Sequence, residues 1–83
     1  MTKKEFNKVM RLNSYIRCKD DTPDVMTYFS SDRRVYIWYD ISCEDLNVHV
    51  DDEHYMSVGN FSTDSFTKVN EFLKVCDMQQ LLL

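Results

Sequence analysis

The sequence predicts an α+β domain: a four- to five-stranded antiparallel sheet, connected as a meander, with an N-terminal and a C-terminal helix. Three observations predict it. Apolar residues recur at three and four residues near both termini. Four runs rich in β-branched and aromatic residues fill the middle. Short polar stretches separate these runs, too short for the crossovers that parallel strands need. At 83 residues the chain fits one domain, residues 1–83, and not two.

Thr2 and Glu5 have capping-box spacing, and Phe6, Val9 and Met10 form one apolar stripe behind them. A first helix is expected over Lys3–Leu12, stopped at Asn13. Tyr15, Ile16 and Cys18 suit a short strand or extended connector. Lys19–Asp24, with the only proline, is the clearest loop. Strands are expected over Asp24–Ser30, Val35–Ile41, Leu46–Val50 and His54–Phe61, with Gly59 marking a bulge or close packing in the last. Ser62 or Thr63 caps a second helix with Asp64 at its positive end. Phe66, Val69, Leu73 and Cys76 give its buried stripe, and the helix is expected to run to about Gln80. With one glycine and one proline, few sharp loops are expected, and no glycine-rich phosphate cradle is possible.

Alternation along the strands separates two faces. Val35, Ile37, Tyr39 and Ile41 share one side with Leu46, Val48 and Val50, and are assigned to the core. Tyr36, Trp38 and His49 fall on the other, joined by Tyr28 and Met26 or by Met56 and Val58 according to register. Asp40 and Asp51 edge it. Such a face is either a second small core covered by the first helix, an interface for a protein or a second copy, or a platform for stacking bases.

The net charge of −4 argues against general affinity for nucleic acid. The charge is also uneven. Residues 1–34 hold eight basic side chains against five acidic ones, and residues 35–83 hold two against nine. No lysine or arginine occurs between Arg34 and Lys68, whereas Asp40, Glu44, Asp45, Asp51, Asp52 and Glu53 all do. These acids are either solvated turn residues or a one-sign surface that docks on a basic groove in the manner of a DNA mimic. Lys3, Lys4, Lys8 and Arg11 lie opposite the apolar stripe of the first helix, a solvated face or a contact for nucleic acid or an acidic partner.

Chemistry is sparse. Cys18, Cys43 and Cys76 are odd in number and widely spaced, which reads as free thiols in a reducing cytoplasm. No apolar run follows the N-terminal residues, so no signal peptide is expected, and Leu81–Leu83 is too short to span a bilayer. His49 and His54 flank three carboxylates, but across an expected turn and without zinc-helix spacing. Asp51, Asp52 and Glu53 lack EF-hand spacing. Cys43 and His49 could pair as nucleophile and base only if something oriented them. No catalytic residue, metal or cofactor is assigned.

The expected function is therefore that of a small acidic protein-binding module in the cytoplasm, an inhibitor that occludes a partner's basic or nucleic-acid-binding surface. Tyr36, Trp38 and Asp40 would carry it, with Glu44, Asp45, Asp51, Asp52 and Glu53 at the turns. In size, acidity and lack of catalytic motifs the chain resembles the stand-alone inhibitors encoded by phages and mobile elements, anti-CRISPR proteins among them. No residue motif carries that resemblance, and no site is transferred from it. The alternatives are a homo-oligomer or assembly subunit joined through the aromatic face, and a nucleic-acid binder using the basic first helix.

Overall fold

The structure, a computed structural model, describes residues 2–19, 22–59 and 64–83. Helix α1 (Lys3–Leu12) precedes five strands, β1 (Ile16–Arg17), β2 (Val25–Phe29), β3 (Val35–Asp40), β4 (Asp45–Val50) and β5 (His54–Val58), and helix α2 (Ser65–Val75) follows. Every strand pairs antiparallel with its neighbours in the order β1-β2-β3-β4-β5, the expected meander.

The register fixes the two faces. Ile37 stands between Tyr28 and Val48, and Tyr39 between Met26 and Leu46. Val48 faces Met56, and Leu46 faces Val58. All of these except half-buried Met56 are buried. The assignment of Val35, Ile37, Tyr39, Leu46, Val48 and Val50 to the core holds. Tyr28, Met26, Met56 and Val58 do not join the opposite face. They lie on the core side, because both strands that flank Val35–Val50 pair in phase with it.

Both helices pack on this core side. The Phe6 ring of α1 meets Tyr28 edge-on at 5.4 Å, Tyr39 at 5.7 Å, and Phe66 of α2 in a near-parallel stack at 6.1 Å. Met10 completes the buried stripe of α1, and Phe66, Val69 and Leu73 form that of α2. The hydroxyl of buried Tyr28 donates to Asn7 Oδ1 on α1, so the one polar atom brought in with that ring has its partner. The Thr2 hydroxyl caps α1, accepting from the Glu5 N–H at 3.2 Å and donating to the Glu5 carboxylate at 3.2 Å.

Both helices end in Schellman motifs. After α1, Ser14 N–H bonds Arg11 O and Tyr15 N–H bonds Met10 O, with Ser14 at φ 62°. After α2, Asp77 N–H bonds Lys74 O and Met78 N–H bonds Leu73 O, with Asp77 at φ 57°. The second motif stops α2 at Val75, five residues before Gln80: the apolar pattern continues to Met78, but the left-handed Asp77 turns the chain away. The capping assignment to Ser62 or Thr63 lies outside the described residues; Asp64 occupies the N-cap position without a side-chain cap bond.

Scarce glycine does not mean gentle loops. Ser14, Arg33, Glu44, Asp51, Asp52 and Asp77 all take left-handed backbone that glycine would adopt without strain. Gly59 itself lies just beyond β5 without a positive φ, and a Cβ there would meet nothing within 4 Å. It does not mark close packing. Replacing Ser14 by glycine is expected to raise stability by up to about 1 kcal/mol in urea denaturation, relief of strain outweighing the added freedom of the unfolded chain. An equal loss would show that Ser14 is not strained.

Beyond α2 the chain lies back across the helix layer. Leu81 is 5% exposed. Asn70 of α2 grips its backbone from one side, Leu81 N–H donating to Asn70 Oδ1 at 2.7 Å and Asn70 Nδ2 to Leu81 O at 3.1 Å. Asn13, at the end of α1, grips Leu82 the same way, at 2.7 and 2.9 Å. A cleft of about 330 Å³ opens beside this tail, with Tyr15 and Asp32 in its lining. Burial, with Asp32 adding to it, pushes the Tyr15 phenol up to about 12. The folded state thus disfavours tyrosinate, and the stability this confers is complete below the ordinary tyrosine value near 10 and lost as pH rises toward 12. Urea midpoints at pH 9 and pH 11 should therefore diverge more for the native chain than for Tyr15→Phe; equal declines would overturn the assignment.

Candidate functional site: the open aromatic face

With both helices on one side, the other side of the sheet has no helix over it. The idea that α1 covers Tyr36 and Trp38 is thereby overturned: Phe6 and Met10 face Tyr28 and Tyr39, which point the other way from Trp38.

The strand registers arrange this face in three rows. Ile16, Phe29, Tyr36, His49 and Tyr55 run across the sheet near the β4–β5 turn. Thr27, Trp38, Asn47 and Ser57 form the middle row. Val25, Asp40 and Asp45 lie near the β3–β4 turn. Polarity therefore changes along the strands, from rings at one end to carboxylates at the other.

The rings form a packed set. Trp38 and His49 meet edge-on at 4.9 Å, His49 and Tyr55 edge-on at 4.8 Å, and Trp38 lies near-parallel to Tyr55 at 6.1 Å. Phe29 and Tyr36 pack at 5.9 Å. Tyr55 remains 55% exposed, yet its hydroxyl donates to Asn47 Oδ1 at 2.8 Å. Asn47 is only 4% exposed because Tyr55 lies against it. Phe29, Tyr36, Trp38 and His49 are half-buried. Large side chains beside the smaller Val25 and Thr27 leave a depression of about 320 Å³, lined by these two with Tyr36, Trp38, His49 and Asp52.

The acidic residues divide between the two ends. Asp40, Glu44 and Asp45 surround the β3–β4 turn, and Asp51, Asp52 and Glu53 form the β4–β5 turn. The length of β4, about 20 Å for a six-residue strand, separates them. Asp40 accepts the backbone N–H and hydroxyl of Ser42 at 3.1 and 2.6 Å, and the hydroxyl bond above all holds its carboxyl below the usual range. The Ser57 hydroxyl reaches both oxygens of Asp45 at 2.9 and 2.8 Å. Asp51 is held low by a bidentate bond from Arg34, with both contacts at 2.7 Å, so its charge is neutralised within the chain. Asp40 and Asp45 share the aromatic face, and Asp52 reaches its depression, whereas Asp51 turns to Arg34.

Tyr36 and Trp38 stand where alternation placed them. Asn47 also faces this side, as the alternation of β4 implies, whereas Phe29, Tyr55 and Ser57 are not placed there by the sequence reading. Tyr55 carried a usable signal: once Met56 and Val58 are assigned to the core, Tyr55 and Ser57 must face outward.

The structure does not bring together the Cys43–His49 pair or the His49–His54 pair. Cys43 lies in the turn before β4, while His49 lies near the far end of that strand. Partial desolvation and neighbouring Asp40 raise the thiol of exposed Cys43 above its ordinary value, opposite to activation. His49 faces the aromatic side, whereas His54 pairs with Val50 and so faces the helix side. Among the described residues no group of three or more histidines, cysteines and carboxylates could hold a metal ion. Cys18, Cys43 and Cys76 are free thiols. No helix among the described residues is long and apolar enough to cross a membrane.

Compared with known proteins, the chain matches no family model, no curated protein and no solved structure.

Proposed function

We propose that this α+β domain is a small protein-binding module of the inhibitor kind, acting in the cytoplasm, whose open aromatic face covers a basic, nucleic-acid-handling surface on its partner. The observation that carries this is the placement of both helices on one side of the sheet. It leaves five rings facing solvent on the other, and Trp and Tyr are the side chains that most often dominate protein interfaces. Asp40 and Asp45 on the same face supply charge complementary to a basic surface and would speed encounter. Direct binding of nucleic acid is disfavoured by geometry. The exposed Lys3, Lys4, Lys8 and Arg11 lie on α1, on the helix side of the sheet, so the basic helix and the rings cannot engage one strand together.

Affinity capture from lysate of the source cells, at low and high salt, followed by binding assays with the purified partner, tests this. The expected result is a nucleic-acid-handling protein that salt releases. Trp38→Asp should weaken its binding by at least about tenfold, as loss of an interface hot spot does, while leaving the circular dichroism melt intact. Recovery of bait alone, with a dimer mass in light scattering that Trp38→Asp abolishes, would overturn the proposal and assign the face to a second copy of the chain.

A further inference from the structure

We infer that the depression on the aromatic face is a seat for an arginine side chain of the partner. This rests on the protein-binding role proposed above and specifies the group that role would recognise.

Three features point to a guanidinium. The lining joins the Trp38 and Tyr36 rings to a carboxylate, Asp52, with apolar Val25 at the far end. Val25 pairs in register with Asp40, on the same face. A side chain lying along the depression would therefore have rings beside it and the Asp52 carboxylate at one end. That combination suits a planar cation, which stacks on a ring face and donates paired hydrogen bonds to a carboxylate in the same pose. Lysine offers a point charge with a tighter hydration shell and satisfies only part of this.

The second feature is charge. The strand positions facing this side contain no lysine and no arginine and include Asp40 and Asp45, so the strands themselves favour an incoming cation. The third is a precedent within the chain. The Arg33 guanidinium from the β2–β3 turn lies 5.0 Å from the ring centroid of Phe29, which belongs to the same face. The rings there already accept one guanidinium, while the neighbouring depression holds none from this chain. Its volume, about 320 Å³, is at the low end of the range that encloses small ligands.

The test uses the full chain and three blocked tripeptides, glycine flanking arginine, lysine or citrulline, titrated to high millimolar concentration. Proton–nitrogen spectra follow the Trp38 indole N–H and the Thr27 and Tyr36 amides. The arginine peptide should shift these signals saturably. The lysine peptide should bind roughly two- to fivefold more weakly, the scale of one exposed cation–π contact. Citrulline, equal in shape and uncharged, should not saturate. Asp52→Asn, which keeps a residue that tolerates left-handed backbone, should weaken the arginine response. Equal shifts from citrulline, no shift from arginine, or indifference to Asp52→Asn would overturn the inference. If that happens while Trp38→Asp still abolishes binding of the captured protein, only the arginine seat falls. If binding no longer depends on Trp38, the protein-binding role falls as well.

Discussion

Replacing Phe6 by alanine is expected to cost about 3–5 kcal/mol, the range for deleting a buried phenylalanine ring. Phe6 is fully buried, and its ring touches both the sheet and the second helix, through Tyr28, Tyr39 and Phe66. Its loss removes transfer energy and leaves a cavity that α1 cannot fill without disturbing the Asn7 bond to Tyr28. Domains of this size have little stability to spare, so the variant should be largely unfolded at room temperature. Urea denaturation followed by circular dichroism measures it. A loss below about 1.5 kcal/mol would show that α1 is not integral to the core. Tyr55→Ala, on the open face, is the contrast: its ring is more than half exposed, and the expected cost is about 1 kcal/mol or less.

The second large effect lies at the tail. Asn70→Ala should cost about 1–3 kcal/mol, because it leaves the Leu81 N–H and carbonyl without partners in a partly buried site. Asn13→Ala should cost somewhat less, since its bonds to Leu82 are exposed. The two side chains hold consecutive residues of one extended segment. Once either is removed, the tail lifts more readily and the other has less to hold, so the double variant should lose less than the sum of the singles. Simple additivity in the same urea measurements would mean that the tail stays seated on Leu81 packing alone.

Neither asparagine could be given that role from the sequence. Asn13 reads locally as a helix stop, which it is, but its carboxamide bonds a residue 69 positions away. Asn70 reads as a polar position on an amphipathic helix. Both act on backbone groups, which carry no sequence signature. The Schellman ending of α2 was obscured for a related reason: glycine, the usual mark of the left-handed residue, is replaced by Asp77.

The aromatic face was half legible. Val35–Val50 alternates cleanly between apolar and polar or aromatic positions, so Tyr36, Trp38 and His49 could be placed on one side. In β2, Val25, Thr27 and Phe29 alternate with Met26 and Tyr28, and either set could be the buried one. Pairing decides: Tyr28 stands opposite Ile37, so Phe29 stands opposite Tyr36 and faces outward. In the sequence the acids follow one another with no lysine or arginine between them. The hairpin geometry divides them, because a six-residue strand carries the chain from one end of the sheet to the other between the two turns.

Short-range periodicity, and connections too short to do otherwise, dictate the local elements, their order, the antiparallel meander and the core of the two central strands. Which side α1 covers is set by long-range packing. An amphipathic helix states that one of its faces must be buried, not against what, and both faces of this sheet are apolar enough to receive it. Phe6 fits among Tyr28, Tyr39 and Phe66, and that choice leaves Trp38 and its neighbouring rings open to solvent.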